Sequence, residues 1–109
     1  MKLTLPDSGA EVLPDGRSQP PSALRNADAI LAVLLAEAPR DGRMLELAAG
    51  SGLHSAAFST ALPGLIWQPT DVAESNFRSI TAWAATGSGQ VQAPVRLDAT
   101  RAGWAVDWP

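Results

Sequence analysis

The stretch Met44-Leu45-Glu46-Leu47-Ala48-Ala49-Gly50-Ser51-Gly52-Leu53-His54 decides the fold of this chain. Met44, Leu45, Leu47 and Ala48 form an apolar run broken only by Glu46. The run is too short for a typical helix and suits a strand, Met44–Ala48, buried on both faces. Ala49-Gly50-Ser51-Gly52 follows as a loop. Glycine at these positions permits positive φ and close approach of backbone to a ligand. Leu53 to Leu62 then reads as a helix, stopped by Pro63-Gly64. Its first turn presents N–H groups to an anionic or polar group.

Working upstream, Leu24, Ala27, Leu31, Leu34 and Ala38 recur at spacings of three and four, with Ile30 and Leu35 widening the stripe. This predicts a core-facing helix, capped by Ser22 and ended by Pro39. Residues 1–21 carry four of the nine prolines and little periodicity, and they read as a mobile or loosely packed leader. Working downstream, Leu65-Ile66-Trp67 begins a second strand that ends near Pro69 to Asp71. Ala73 to Ala85 reads as a helix with Phe77, Ile80, Trp83 and Ala84 on its apolar face. After Gly87-Ser88-Gly89, Val91 to Leu97 is a third strand, at an edge because of Pro94. Strands alternating with helices of this length imply right-handed crossovers and a parallel sheet. The expected architecture is the N-terminal half of a doubly wound α/β fold, a preceding helix and three strands in the order 3-2-1.

Composition narrows the function. The net charge is −3 with the single His neutral, and Lys2 is the sole lysine. No basic stripe exists for a phosphate backbone, so nucleic acid is not an expected partner. Without Cys there are no disulfides and no thiolate metal ligands, and one His makes a zinc site unexpected. The longest apolar run, Ala29 to Ala36, is too short to span a bilayer. No signal peptide is visible, and a cytoplasmic location is expected.

In doubly wound sheets ligands bind outside the carboxyl ends of the strands. Three features fall there: Glu46 with the glycine loop, Asp71 at the end of the second strand, and Asp98 at the end of the third. Asp71 follows Gly52 by 19 residues. That is close to the offset of about 20 at which a carboxylate accepts from ribose hydroxyls. Asp98 is placed to accept from an exocyclic amine. Ser55 stands where the dinucleotide fingerprint wants a third glycine, which speaks against a standard NAD site. No Gly-Lys-Ser/Thr follows, so the loop is not a P-loop, and Ala49 breaks the nucleophile-elbow pattern. Taken singly, Asp71 and Asp98 read as turn caps; together with the glycine loop they read as a site.

Glu46, Gly50 and Gly52 in the pattern Glu-x-x-x-Gly-x-Gly resemble motif I of class I S-adenosylmethionine-dependent methyltransferases, which have a Rossmann-like fold. More narrowly, Pro21-Ser22-Ala23-Leu24-Arg25-Asn26, Leu45 to His54, and Trp67-Gln68-Pro69-Thr70-Asp71 resemble the methyltransferase-like family catalogued as domain of unknown function 938. Ser79-Ile80-Thr81-Ala82-Trp83 and Leu97-Asp98-Ala99-Thr100 extend the resemblance over residues 21–109. Departures are confined to positions 24 and 47, where that family more often has an acidic residue and Ile. The resemblance implies that Glu46 and Gly50-Ser51-Gly52 hold the methionine end of S-adenosylmethionine, with Ala48 also among the candidate cofactor-binding residues. It implies Asp71 on the ribose, Val72 against the adenine, and Asp98 with Ala99 on the adenine edge. His54, Arg25 and Asn26 complete the candidate cofactor-binding set. His54, in the first turn of a helix, reads as helix surface or cofactor-edge packing, with a general base as the alternative. Bland roles stand beside the others: a helix-start hydrogen-bond cluster for Arg25 and Asn26, core for Trp67 and Trp83. Trp104 and Trp108, in an irregular tail, need a surface to pack against.

The resulting expectation is a methyltransferase-like protein with a small-molecule cofactor. No acceptor, catalytic base or metal is named by the residues. The alternatives are a non-catalytic binding module and, more weakly, a nicotinamide-dependent oxidoreductase. In the expected topology the strand Met44–Ala48 is central and needs a fourth strand beside it. The expectation is therefore that residues 22–109 are part of a larger domain, with an open apolar edge at that strand.

Overall fold

The computed structural model describes residues 11–108. The chain runs β1 (Glu11–Val12), β2 (Ser18–Gln19), α1 (Pro21–Glu37), β3 (Gly42–Glu46), α2 (Leu53–Ala61), β4 (Leu65–Asp71), a 3-10 turn Glu74–Asn76, α3 (Phe77–Ala84), β5 (Gln90–Val91), β6 (Val95–Arg96) and α4 (Trp104–Asp107). The result is a mixed α/β fold with a parallel sheet, as the alternating pattern predicts. β4 lies between β3 and β5, and β6 pairs with the carboxyl end of β4, so the strand order agrees with 3-2-1.

The register puts Met44 beside Trp67 and Glu46 beside Pro69. Side chains alternate across a strand, and Leu65 and Trp67 turn toward the helices. There they form the core with Phe58 and Leu62 of the α2 segment, and Ala27, Leu31, Leu34 and Ala38 of α1 pack against it. The Phe58 and Trp67 rings meet at 6.4 Å, tilted 60°. Full burial of a large apolar side chain contributes roughly 1.5–3 kcal/mol, which applies to Phe58, Leu62 and Leu65 of the core; the half-buried side chains of α1 add less each. Leu24, Ile30 and Leu35 are exposed and Ala27, Leu31, Leu34 and Ala38 are half-buried, so the packed stripe of α1 is narrower and shallower than the sequence pattern suggests.

Several boundaries differ from expectation for local reasons. Ser22 is not the cap of α1; the helix starts at Pro21 behind Pro20, because proline's fixed φ and missing N–H suit the first helical position. β3 begins at Gly42 and ends at Glu46, since Ala48 takes φ +54° and no strand continues through it. β3 is also not buried on both faces. The helices cover one face, while Leu45, Ile66 and Gln68 line a groove of about 440 Å³ on the other, with Trp108 beside them. Among the described residues the outer edge of β3 has no partner strand. The third strand is interrupted around Gln92–Pro94 into β5 and β6, because Pro94 cannot donate to the ladder. The third helix opens with the 3-10 turn, and its α-helical part starts at Phe77.

Residues 11–19, expected in a loose leader, form an antiparallel hairpin against α3. Gly16 supplies the turn with φ +97° and lies under Arg78. The rest of the expected leader, residues 1–10, lies outside the described residues. No helix among the described residues is long and apolar enough to cross a membrane.

Candidate functional site

β3, β4 and β6 are parallel, so their carboxyl ends open on the same side of the sheet. This brings together the loop Leu47–Gly52, Asp71 with Val72, and Asp98 with Ala99. The Leu97 N–H donates to the Asp71 C=O at 3.0 Å, which ties the third strand's end to the second's.

The loop turns on three left-handed residues, Ala48, Gly50 and Gly52, at φ +54°, +59° and +86°. Gly52 has no room for a side chain: a Cβ there would stand 2.5 Å from the Ile80 Cα. Gly50 differs, because no atom lies within 4 Å of where its Cβ would be. The backbone at Gly50 is therefore bare toward open space, as a cradle for a ligand requires.

Asp71 holds this loop from beneath. Its Oδ2 accepts from the Gly50 N–H at 2.8 Å and its Oδ1 from the Ala73 N–H at 2.9 Å, and the residue is buried. A carboxylate has about four acceptor positions, so each oxygen keeps one. Val72 beside it is half exposed, an apolar side chain on the rim. Thr70 was not singled out in the sequence, yet it fastens the same corner. Its hydroxyl donates to the Glu46 C=O at 2.7 Å, and its own C=O accepts from the Ala49 N–H at 2.8 Å. This adds a donor next to Pro69, which has no N–H to give.

Glu46 lies on the helix face of β3. Its Oε1 accepts from the Ser55 hydroxyl at 2.5 Å and the Trp67 indole N–H at 2.8 Å. Both donors are buried, so the carboxylate ties β3 to α2 and β4. Oε2 is the oxygen neither bond uses. Ser55 thus occupies the third-glycine position with a hydroxyl committed to Glu46.

Asp98 is reached by solvent. Its Oδ1 accepts from the Thr100 hydroxyl at 2.5 Å and the Thr100 N–H at 3.0 Å. The Thr100 hydroxyl, followed by its N–H, holds the Asp98 carboxyl below the ordinary 3.8, with Arg96 and Arg101 adding to the effect. Ala99 is exposed next to it. His54 lies between α1 and α2: its Nε2 is 3.0 Å from the Ala23 C=O, and its ring stacks on Phe58 at 4.8 Å. That contact brings the first turn of α1 to the head of α2, with Arg25 and Asn26 exposed beyond it. The Ser51 hydroxyl accepts from the Leu53 N–H at 3.2 Å, a local turn contact just ahead of α2, whose N-cap is Gly52. Among the described residues no group of three or more His, Cys, Asp or Glu side chains is arranged to hold a metal ion.

The chain is thus a mixed α/β protein with a glycine loop and the carboxylates of Glu46, Asp71 and Asp98 at the carboxyl ends of a parallel sheet. It belongs to the family described as protein of unknown function (DUF938), whose model matches residues 17–109. No solved structure matches the chain.

Proposed function

We propose that this protein binds S-adenosylmethionine at the carboxyl ends of its strands, with a Rossmann-like fold and a methyltransferase-like role. The observation that carries the reading is the bare Gly50 backbone held over Asp71, with Asp98 at the next strand end. In this reading the Gly50–Gly52 loop receives the methionine end, near Glu46 Oε2. Asp71 offers its remaining acceptor positions to ribose hydroxyls, Val72 lies along the adenine, and Asp98 accepts from the exocyclic amine. In the same reading Arg25 and Asn26, which are exposed, meet the cofactor carboxylate. S-adenosylmethionine supplies an activated methyl group, and the protein's part is to align an acceptor with the departing sulfur.

Ser55 supports this cofactor over a nicotinamide dinucleotide. Its buried hydroxyl fills the position that close packing beneath a pyrophosphate reserves for glycine. Thermal denaturation with each compound separates the two, because a ligand that binds only the folded state raises the midpoint. S-adenosylmethionine should raise it and NAD should not; the reverse order refutes the assignment. Transfer of a labelled methyl group to any component of a cell extract then distinguishes an enzyme from a non-catalytic binding module.

A further inference from the structure

The glycine loop is held on a second side, by α3 and the hairpin. Ser79 is buried, and its Oγ accepts from the Ser18 N–H at 2.8 Å while donating to the Ser51 C=O at 2.6 Å. One hydroxyl therefore joins the hairpin to the loop. One turn further along α3, the Trp83 indole N–H donates to the Ser18 C=O at 2.8 Å. The Arg17 guanidinium lies 4.9 Å above the Trp83 ring. Both backbone polar groups of Ser18 are thus satisfied by α3, at residues four apart and so on one helix face. On the loop side, Gly52 is seated directly against the Ile80 backbone.

We propose that Ser79 is a positioning residue that couples the hairpin Glu11–Gln19 to the conformation of the ligand-binding loop. A hydroxyl that donates to one segment and accepts from another is best oriented when both are in place. Fixing the loop then strengthens the hairpin's attachment, and docking the hairpin strengthens the loop. By linkage the two effects are equal in size. The part of this inference that concerns a ligand rests on the S-adenosylmethionine reading above; the coupling itself does not.

Amide hydrogen exchange on the full chain, with and without S-adenosylmethionine, tests it. Without ligand, Ser79→Ala should speed exchange about tenfold both at Ser18 and at the loop amides of Gly50 and Gly52, as loss of a hydrogen bond of about 1.4 kcal/mol implies. The interior amides of α3 should keep wild-type protection. Trp83→Phe, which keeps Ser79 and removes only the indole donor, should also loosen Gly50 and Gly52, several-fold. Unchanged loop exchange in Trp83→Phe overturns the coupling, whether or not Ser79→Ala folds. With ligand, the wild type should gain protection at Ser18, and Trp83→Phe should bind about fivefold more weakly. If the wild type does not bind S-adenosylmethionine, the cofactor reading fails while the ligand-free comparison still decides the coupling. If it binds without any gain at Ser18, the coupling is refuted and the cofactor reading stands.

Discussion

Replacing Glu46 separates its structural work from any contact with a ligand. Glu46→Ala leaves two donors without their acceptor, the Ser55 hydroxyl and the Trp67 indole N–H, in residues 0% and 3% exposed. An unsatisfied buried donor costs about 1–3 kcal/mol. The serine hydroxyl can rotate toward a helix carbonyl and recover part of its share, whereas the indole N–H is fixed by the packing of its ring against Phe58. Together the two give a loss of about 3 kcal/mol. For a chain of this size 1 kcal/mol moves the midpoint by about 4–8 °C, so Glu46→Ala should melt roughly 12–24 °C below wild type. Glu46→Gln keeps an oxygen at the Oε1 position and both hydrogen bonds, and should lose no more than about 1 kcal/mol. Thermal denaturation followed by circular dichroism reads the difference. If the two variants melt together, Glu46 is not held by these bonds and the account of how β3, β4 and α2 are joined is wrong.

Gly52→Ala should destabilise the fold by at least about 2 kcal/mol in chemical denaturation, because a left-handed φ is strained for alanine and its Cβ meets the Ile80 backbone at 2.5 Å; wild-type stability would mean the loop does not lie on α3. The Asp98 carboxyl, titrated by carbon NMR, should ionise below 3.8, and Thr100→Val should move it upward by removing the largest cause of the depression. Because the folded value is the lower one, the Thr100 hydrogen bonds favour the fold above about 3.8 and lose that contribution as pH falls through the folded value. An unchanged titration in Thr100→Val would contradict the observed geometry.

The framework of the fold was legible because it rests on periodicity. The spacing of Ala27, Leu31, Leu34 and Ala38, and the alternation of Leu65 and Trp67 against the helices, follow from the repeat of helix and strand. The corner around Asp71 was legible because strand ends and glycine are positional signals. What escaped the sequence depends on single polar groups meeting across long separations. Ser18 meets Ser79 61 residues away, and Trp83 reaches back 65 residues to Ser18. No local pattern encodes such pairings, so the hairpin passed for a loose leader and Trp83 for a core residue. The break in the third strand was signalled by Pro94, whose effect extended beyond placing the strand at an edge. For Glu46 the sequence placed the carboxylate at a strand end, but its partners, the Ser55 hydroxyl and the Trp67 indole, come from α2 and β4 and leave no local signal.

Isothermal titration of S-adenosylmethionine into the full chain and into Gly50→Val asks whether the loop over Asp71 receives that compound. Valine at Gly50 meets no protein atom within 4 Å of its Cβ position, so it projects into the space assigned to the ligand, at the cost of backbone strain of about 1–3 kcal/mol. The wild type should show saturable one-to-one binding, and a Gly50→Val protein still folded by circular dichroism should bind at least tenfold more weakly. Absence of binding to the folded wild type, or equal affinity in the two proteins, would contradict binding at this loop.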